Sequence, residues 1–226
     1  MIRFERKETE KAQKAISSLE NEKRKGGGTY NTPEVNAALY EMFHGKCYLC
    51  ESKEVASCQI EHLVPHRGDE NLKFAWNNLL YSCTHCNNIK NDRFTPILDC
   101  TAVDVDQKIA FRKKGYFGVE ETLEFEVLED SVEAQNTVRL LHAIHYGTTP
   151  QKKMEAKVIR KHIRKELSNF KELIREYCEE EGEDKQDLLA QIKKELKPNS
   201  AFTAFKRWIV RDHQELPLEL RDLIPR

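Results

Sequence analysis

Two short motifs constrain this chain more than anything else in it: Cys47-Tyr-Leu-Cys50 and Cys83-Thr-His-Cys86, with 32 residues between them. A two-residue spacer lets both sulfurs of a pair turn toward one metal, and two such pairs supply the four thiolates of a closed tetrahedral zinc site. A redox motif needs one pair, not two, and sits in a βαβ context absent here. The spacing therefore predicts structural Zn²⁺ on Cys47, Cys50, Cys83 and Cys86. The interval exceeds the roughly 15–20 residues of a simple zinc ribbon. Something is inserted between the halves of the clamp, and a metal at its base would set the geometry of whatever the insertion carries. The chain has seven cysteines, an odd number that argues against a disulfide framework. Cys58, Cys100 and Cys178 are isolated and read as small hydrophobes.

The insertion contains the run CQIEHLVPH, residues 58–66. An apolar strand does not tolerate a glutamate and a histidine side by side without a reason, because unpaired polar groups are costly inside. A neutral histidine can take a proton from water, and a carboxylate can hold a divalent cation. Adjacent strand residues point to opposite faces, so Glu61 and His62 serve one centre only near a strand end or bend. Pro65 supports an end close by. Metal-assisted phosphodiester cleavage would need a second ligand opposite Glu61 and a hydrogen bond that sets the histidine tautomer. The candidates lie in WNNLLYSCTHCNNIKNDRF: Asn77, Asn78, His85, Asn87, Asn88 and Lys90. That stretch is expected to turn into a helix around the second cysteine pair.

These residues resemble the HNH endonucleases, whose core is a ββα-metal fold. The resemblance rests on GKCYLC, then IEHLVPH, then NNLLYSCTHCNNIKND. It implies that His62 is the general base, that Glu61 and Asn87 bind a catalytic Mg²⁺ or Mn²⁺, that Asn78 orients the histidine or the hairpin, and that Lys90 contacts substrate phosphate. Glu61 stands where Asp is commoner, so a longer arm must reach the metal. Asn87 stands where His closes the signature, which suits a hard, oxygen-preferring ion. A narrower resemblance, adding PILDCT and TVRLLHAIHYG, is to the HNH subunits of the Septu anti-phage system and its retron-linked relatives. It implies a nuclease effector acting on phage DNA with an ABC-type ATPase. The chain itself has no phosphate-binding Gly-rich loop. Two other readings are a zinc-stabilised adaptor without catalysis and a stand-alone restriction-type or homing-type HNH nuclease.

The expected fold class is α+β, mostly helical, a zinc-stapled ββα-metal core with helical extensions at both ends. Residues 1–30 read as an exposed helix (4–25) and a flexible Gly26-Gly27-Gly28 joint, 31–100 as the nuclease core, and 101–226 as a short hairpin plus a helical region. A helix should run from Thr32-Pro33 to Gly45, and two short strands should lie in 108–128 around KKGYFG. Val138, Leu141 and Ile144 mark one helix, and Ile159, Ile163, Leu167, Phe170, Ile174 and Tyr177 a longer one. The acidic run EEEGEDKQD reads as a loop before segments 187–196 and 200–212, with Phe202, Phe205, Trp208 and Ile209 as core.

Net charge is −1, so any nucleic-acid contact must come from local patches. Residues 151–165 carry seven Lys/Arg against one acid and are the best such patch, although a charge run is usually a solvated face. His142 and His145 lack the carboxylate of a zinc helix, and His66 reads as a surface residue. No stretch approaches the roughly 20 apolar residues of a membrane span, and the first residues lack a signal peptide's apolar core. The expectation is a cytoplasmic protein with no membrane partner.

Overall fold

The computed structural model describes residues 1–53, 55, 57–115 and 121–225. An extended N-terminal stretch leads into α1 (Glu10–Arg24) and α2 (Pro33–Met42), and the first cysteine knuckle follows. Then come β1 (Cys58–His62), α3 (Glu70–Lys73), a 3₁₀ turn at Trp76–Asn78, β2 (Leu79–Cys83) and α4 (Thr84–Lys90). The second half holds α5 (Val105–Lys108), β3 (Ile109–Lys114), β4 (Thr122–Val127), α6 (Val132–Tyr146), α7 (Pro150–Glu179), α8 (Gly182–Glu195), α9 (Thr203–Asp212) and α10 (Leu218–Arg221). The class is α+β and mostly helical, as expected.

Both sheets have two antiparallel strands. β1 pairs with β2 in the register Cys58 to Cys83 through His62 to Leu79, and α4 follows β2 directly, giving a ββα unit. The second hairpin, β3 with β4, falls inside the expected 108–128. Tyr116, Phe117 and Gly118 of its turn lie outside the described residues.

Helix starts follow local chemistry. Thr9, Thr32, Ser131 and Thr149 each accept a backbone N–H of the first turn through the side-chain oxygen, which satisfies a donor the helix itself cannot. Pro33 and Pro150 occupy first-turn positions, where a missing N–H costs nothing. In α7 all six residues of the expected apolar face are buried. At 1.5 Å per residue, its 30 residues form a rod of about 45 Å against which α6 and α8 lie.

Three expectations are revised. The chain before α1 is not part of an exposed helix: Met1, Ile2 and Phe4 are buried, Phe4 packs 4.8 Å from Phe43, and its N–H donates to Cys100 O. The glycine joint is a close turn. Gly28 lies so near Glu22 that an added Cβ would fall 2.1 Å from the Glu22 carbonyl oxygen, and its own carbonyl accepts from Lys73 Nζ at 2.9 Å. The acidic run is mostly helical, with Glu183 and Asp184 in the first turn of α8, where negative charge complements the helix dipole.

The largest buried cluster draws on 1–30, 31–100 and 101–226 alike, from Met1 to Trp208. A smaller one joins Phe170, Ile174 and Tyr177 of α7 to Ile192, Val210 and Leu220. Phe202, Phe205 and Trp208 are core, as expected. The first knuckle is tied to this core electrostatically. Lys46 is fully buried and donates to Glu51, Pro198 O and Thr203 Oγ1. Burial lowers its pKa to about 8, while Glu51, although burial opposes ionisation, is held at about 2 by the Met1 amino group and Lys46.

Ile163 is fully buried in α7. Ile163→Ala removes side-chain volume that its neighbours cannot refill, so unfolding free energy should fall by about 2–5 kcal/mol. Denaturant melts of the two proteins check this.

Candidate active site

The four thiols expected to bind zinc come together. Cys47, Cys50, Cys83 and Cys86 are buried, their sulfurs all within 4.8 Å of one another, with Cys50 Sγ and Cys83 Sγ 3.9 Å apart. A tetrahedron with Zn–S bonds of about 2.3 Å has edges of about 3.8 Å, so the cluster has the size that structural zinc requires. Cys83 caps α4, and its sulfur accepts the Cys86 N–H. Burial opposes a thiolate at Cys47, yet hydrogen bonds from Cys50, Cys83 and Cys86 hold that thiol well below its ordinary pKa. Bonding to Cys47 pushes Cys83 up, and burial pushes Cys86 up. Four thiolates packed this closely would repel one another, and a divalent cation is what would let all four ionise together.

His85 is not part of this cluster. Its Nδ1 lies 2.6 Å from Glu155 Oε2 and its Nε2 2.8 Å from Ile144 O, joining α4 to α6 and α7. His145 is also structural: its Nδ1 donates to Leu141 O, its ring lies 5.0 Å from Phe125, and burial lowers its pKa to about 4.

β1 delivers Glu61 and His62 to its last two positions, where the strand ends and both residues can border one cleft. Glu61, His62, Pro65, His66, Asn87 and Asn91 all line this cleft, of about 540 Å³. Glu61 is buried. Its Oε1 accepts from Lys90 Nζ at 3.0 Å and from the His62 N–H at 3.1 Å, whereas its buried Oε2 has no hydrogen-bond partner. Burial raises the Glu61 pKa against the pull of Lys90. An unpartnered carboxylate oxygen beside such a cleft is a fitting donor for a hard cation.

His62 Nε2 lies 3.1 Å from the Lys73 carbonyl. A carbonyl only accepts, so Nε2 carries the proton and Nδ1 the lone pair. Burial lowers the pKa of this ring, with the charges of His66, Lys90 and Lys73 acting in the same direction. Asn78 holds the loop that supplies the carbonyl. Its Oδ1 accepts the Val64 N–H, and its Nδ2 donates to Val64 O and to Leu72 O, next to Lys73. Asn87 commits its Nδ2 to Gln59 Oε1, so Oδ1 is what it can offer the cleft.

Lys90 departs from its expected place. It is fully buried, with Nζ on Glu61 Oε1, on His62 O at 2.7 Å and on Asn91 O. Three acceptors hold the ammonium inside the ββα unit, so in this structure it faces β1 instead of a substrate phosphate. Tyr30 was not expected here, and His66, which reads from the sequence as a surface residue, lines the cleft instead. The Tyr30 ring stands edge-on to His62 at 4.6 Å and His66 lies 4.9 Å from it. Tyr30 carries no local signal, whereas the place of His66 four residues past His62 is compatible with either a surface or a cleft position. In the basic stretch of α7, Lys153, Lys157, Lys161, Arg164 and Lys165 are exposed while Ile159 and Ile163 face inward. Its first turns reach the back of α4 through Glu155 and His85.

Purified protein should carry about one zinc per chain by elemental analysis. Cys86→Ser should lose that zinc and much of the cooperative thermal transition, since metal-binding free energy in such a site is folding free energy.

No family model and no solved structure matches the chain. Two curated proteins are similar to it. The Septu protein PtuB of Bacillus thuringiensis is 34% identical over 82 residues, 34% of this chain and 32% of that protein. The Septu protein PtuB of Bacillus mycoides (strain KBAB4) is 34% identical over 83 residues, 30% of this chain and 28% of that protein. The chain thus spans about a third of the length of these relatives. Over that third it is related to the Septu protein PtuB.

Proposed function

We propose that this chain is a metal-dependent HNH-type endonuclease that hydrolyses phosphodiester bonds of DNA. The observation that carries the reading is a single cleft in which His62 is held with a free Nδ1 lone pair beside a Glu61 carboxylate oxygen that has no partner. His62 Nδ1 accepts a proton from water, whose oxygen bonds to phosphorus as one phosphorus–ester bond breaks. The departing oxygen takes a proton from solvent. Glu61 through Oε2 and Asn87 through Oδ1 would hold Mg²⁺ or Mn²⁺, which supplies charge neutralisation at the phosphate and leaving oxygen. Lys90 aims the glutamate by occupying its other oxygen, and Asn78 keeps the Lys73 carbonyl on His62.

The exposed basic flank of α7 is assigned to the DNA backbone, because phosphate contacts are cationic and independent of sequence. The similarity to the Septu protein PtuB supports an anti-phage role. A separate ABC-type ATPase subunit would supply the ATP chemistry, and the pair would act in the cytoplasm. No helix among the described residues is long and apolar enough to cross a membrane.

Plasmid DNA incubated with Mg²⁺ or Mn²⁺, with and without the ATPase, should be nicked, and EDTA should stop it. His62→Ala should keep its zinc and melting temperature but lose activity by about 10²–10⁴-fold. Undiminished nicking by that variant would show that His62 is not the base. In binding titrations, Lys157→Ala and Lys161→Ala should each weaken affinity across all sequences and reduce the salt slope by about one.

A further inference from the structure

His66 lines the same cleft as His62, and the mechanism above gives it nothing to do. The chain around it is built to orient its ring. Arg67 and Gly68 both have positive φ, 45° and 92°, and the Asp69 N–H donates to His66 O at 2.7 Å, closing a tight turn. The turn folds the Gly68 N–H back onto His66 Nδ1 at 3.1 Å. A backbone N–H only donates, so Nδ1 is an acceptor and the neutral ring carries its proton on Nε2.

The two histidines therefore share a tautomer but make opposite offers. His62 commits its N–H to the Lys73 carbonyl and keeps a lone pair, whereas His66 commits its lone pair to Gly68 and keeps an N–H. Their ring centroids are 4.9 Å apart, tilted by 58°. Tyr30 borders both, 4.6 Å from one ring and 6.4 Å from the other. A ring with an uncommitted acceptor and a ring with an uncommitted donor thus lie side by side in one cleft. Neighbouring rings of that kind can divide the work, one activating a water and the other touching the phosphate it attacks.

We propose that His66 is a catalytic residue, its Nε2–H donating a hydrogen bond to a non-bridging oxygen of the scissile phosphate, and that the turn 66–69 holds it in the tautomer that can do so. This rests on the nuclease reading above. Negative charge on the non-bridging oxygens grows as the water oxygen adds to phosphorus, so a donor aimed there strengthens toward the transition state and acts on kcat more than on KM. A histidine that merely caps its own turn would affect stability and leave the chemistry alone.

The test uses the full chain and a DNA oligonucleotide with either phosphorothioate diastereomer at the cleaved bond. His66→Ala should cleave the all-oxygen substrate on the order of 10²-fold more slowly with KM nearly unchanged. It should lose far less on the diastereomer whose sulfur, a poor acceptor, replaces the oxygen that His66 would reach. His66→Gln, which keeps an N–H, should recover part of the rate. Imidazole ¹⁵N shifts should report the Nε2–H form of His66 in the folded protein. Gly68→Ala, strained at that φ, should shift His66 toward a mixture of tautomers. Unchanged cleavage by His66→Ala, or equal slowing on both diastereomers, would overturn the assignment while leaving the base role of His62 to its own variant. A wild-type chain that cleaves nothing with either metal, with or without the ATPase, would overturn the nuclease reading and this proposal together.

Discussion

Cys83 is the residue through which the rest of the site is set. It is the last residue of β2, the N-cap of α4, and one of the four clustered thiols. A metal on that cluster would tie the strand-to-helix corner to the first knuckle, which is anchored in turn by buried Lys46 and Glu51 to the start of α9. With the corner held, the register of β1 on β2 decides everything downstream. A slip of one residue would exchange the faces of Glu61 and His62. It would also carry Glu61 away from Lys90, the last residue of α4. The cysteines do no chemistry in this scheme. They make the angle at which the chemistry can be delivered.

The Lys90–Glu61 pair shows how the unit tolerates charge inside. Burying an ion pair confers little net stability, but removing one partner costs about 3–5 kcal/mol, because the other is left uncompensated. Lys90 avoids that penalty with three oxygen acceptors, while Glu61 is satisfied at one oxygen only. The asymmetry separates two jobs. The saturated lysine fixes the carboxylate in orientation, while the glutamate that keeps an unsatisfied oxygen lines the cleft, its proton affinity raised by burial. A fully paired glutamate would be better for the fold and useless to a cation.

How much of this could be read from the chain depended on whether a feature repeats locally. The apolar face of α7 was legible because Ile159 through Tyr177 recur every three or four residues. The thiol cluster was legible because thiols at CxxC spacing have few alternatives. Glu61 and His62 stood out as a charged pair in an apolar run. The burial of Met1, Ile2 and Phe4 was not legible, since three residues set no period and their partners Phe43 and Cys100 are far along the chain. Lys90 was expected at a substrate phosphate because the resemblance implied it; its three acceptors come from the fold. The Lys73 carbonyl that sets the His62 tautomer is a backbone group, which no residue type announces.

A cleft lined mainly by polar side chains, with His62, His66, Asn87, Asn88 and Asn91 beside Glu61, Arg67 and Asp92, is better suited to a polar, charged ligand held from outside than to a small hydrophobic one. Its open mouth agrees with that. So does the placement of the cations: Lys90, buried in the ββα unit, is consumed by Glu61 and the β1 carbonyl, Arg67 at the cleft is exposed but pairs with Asp92, and a further exposed set lies along α7, whose first turns meet the back of α4 at the His85–Glu155 contact. A substrate spanning both would take its grip from one element and its chemistry from the other. The long helix α7 would then be more than an extension of the ββα unit, because its exposed lysines and arginines would add the cationic grip that a phosphate backbone requires.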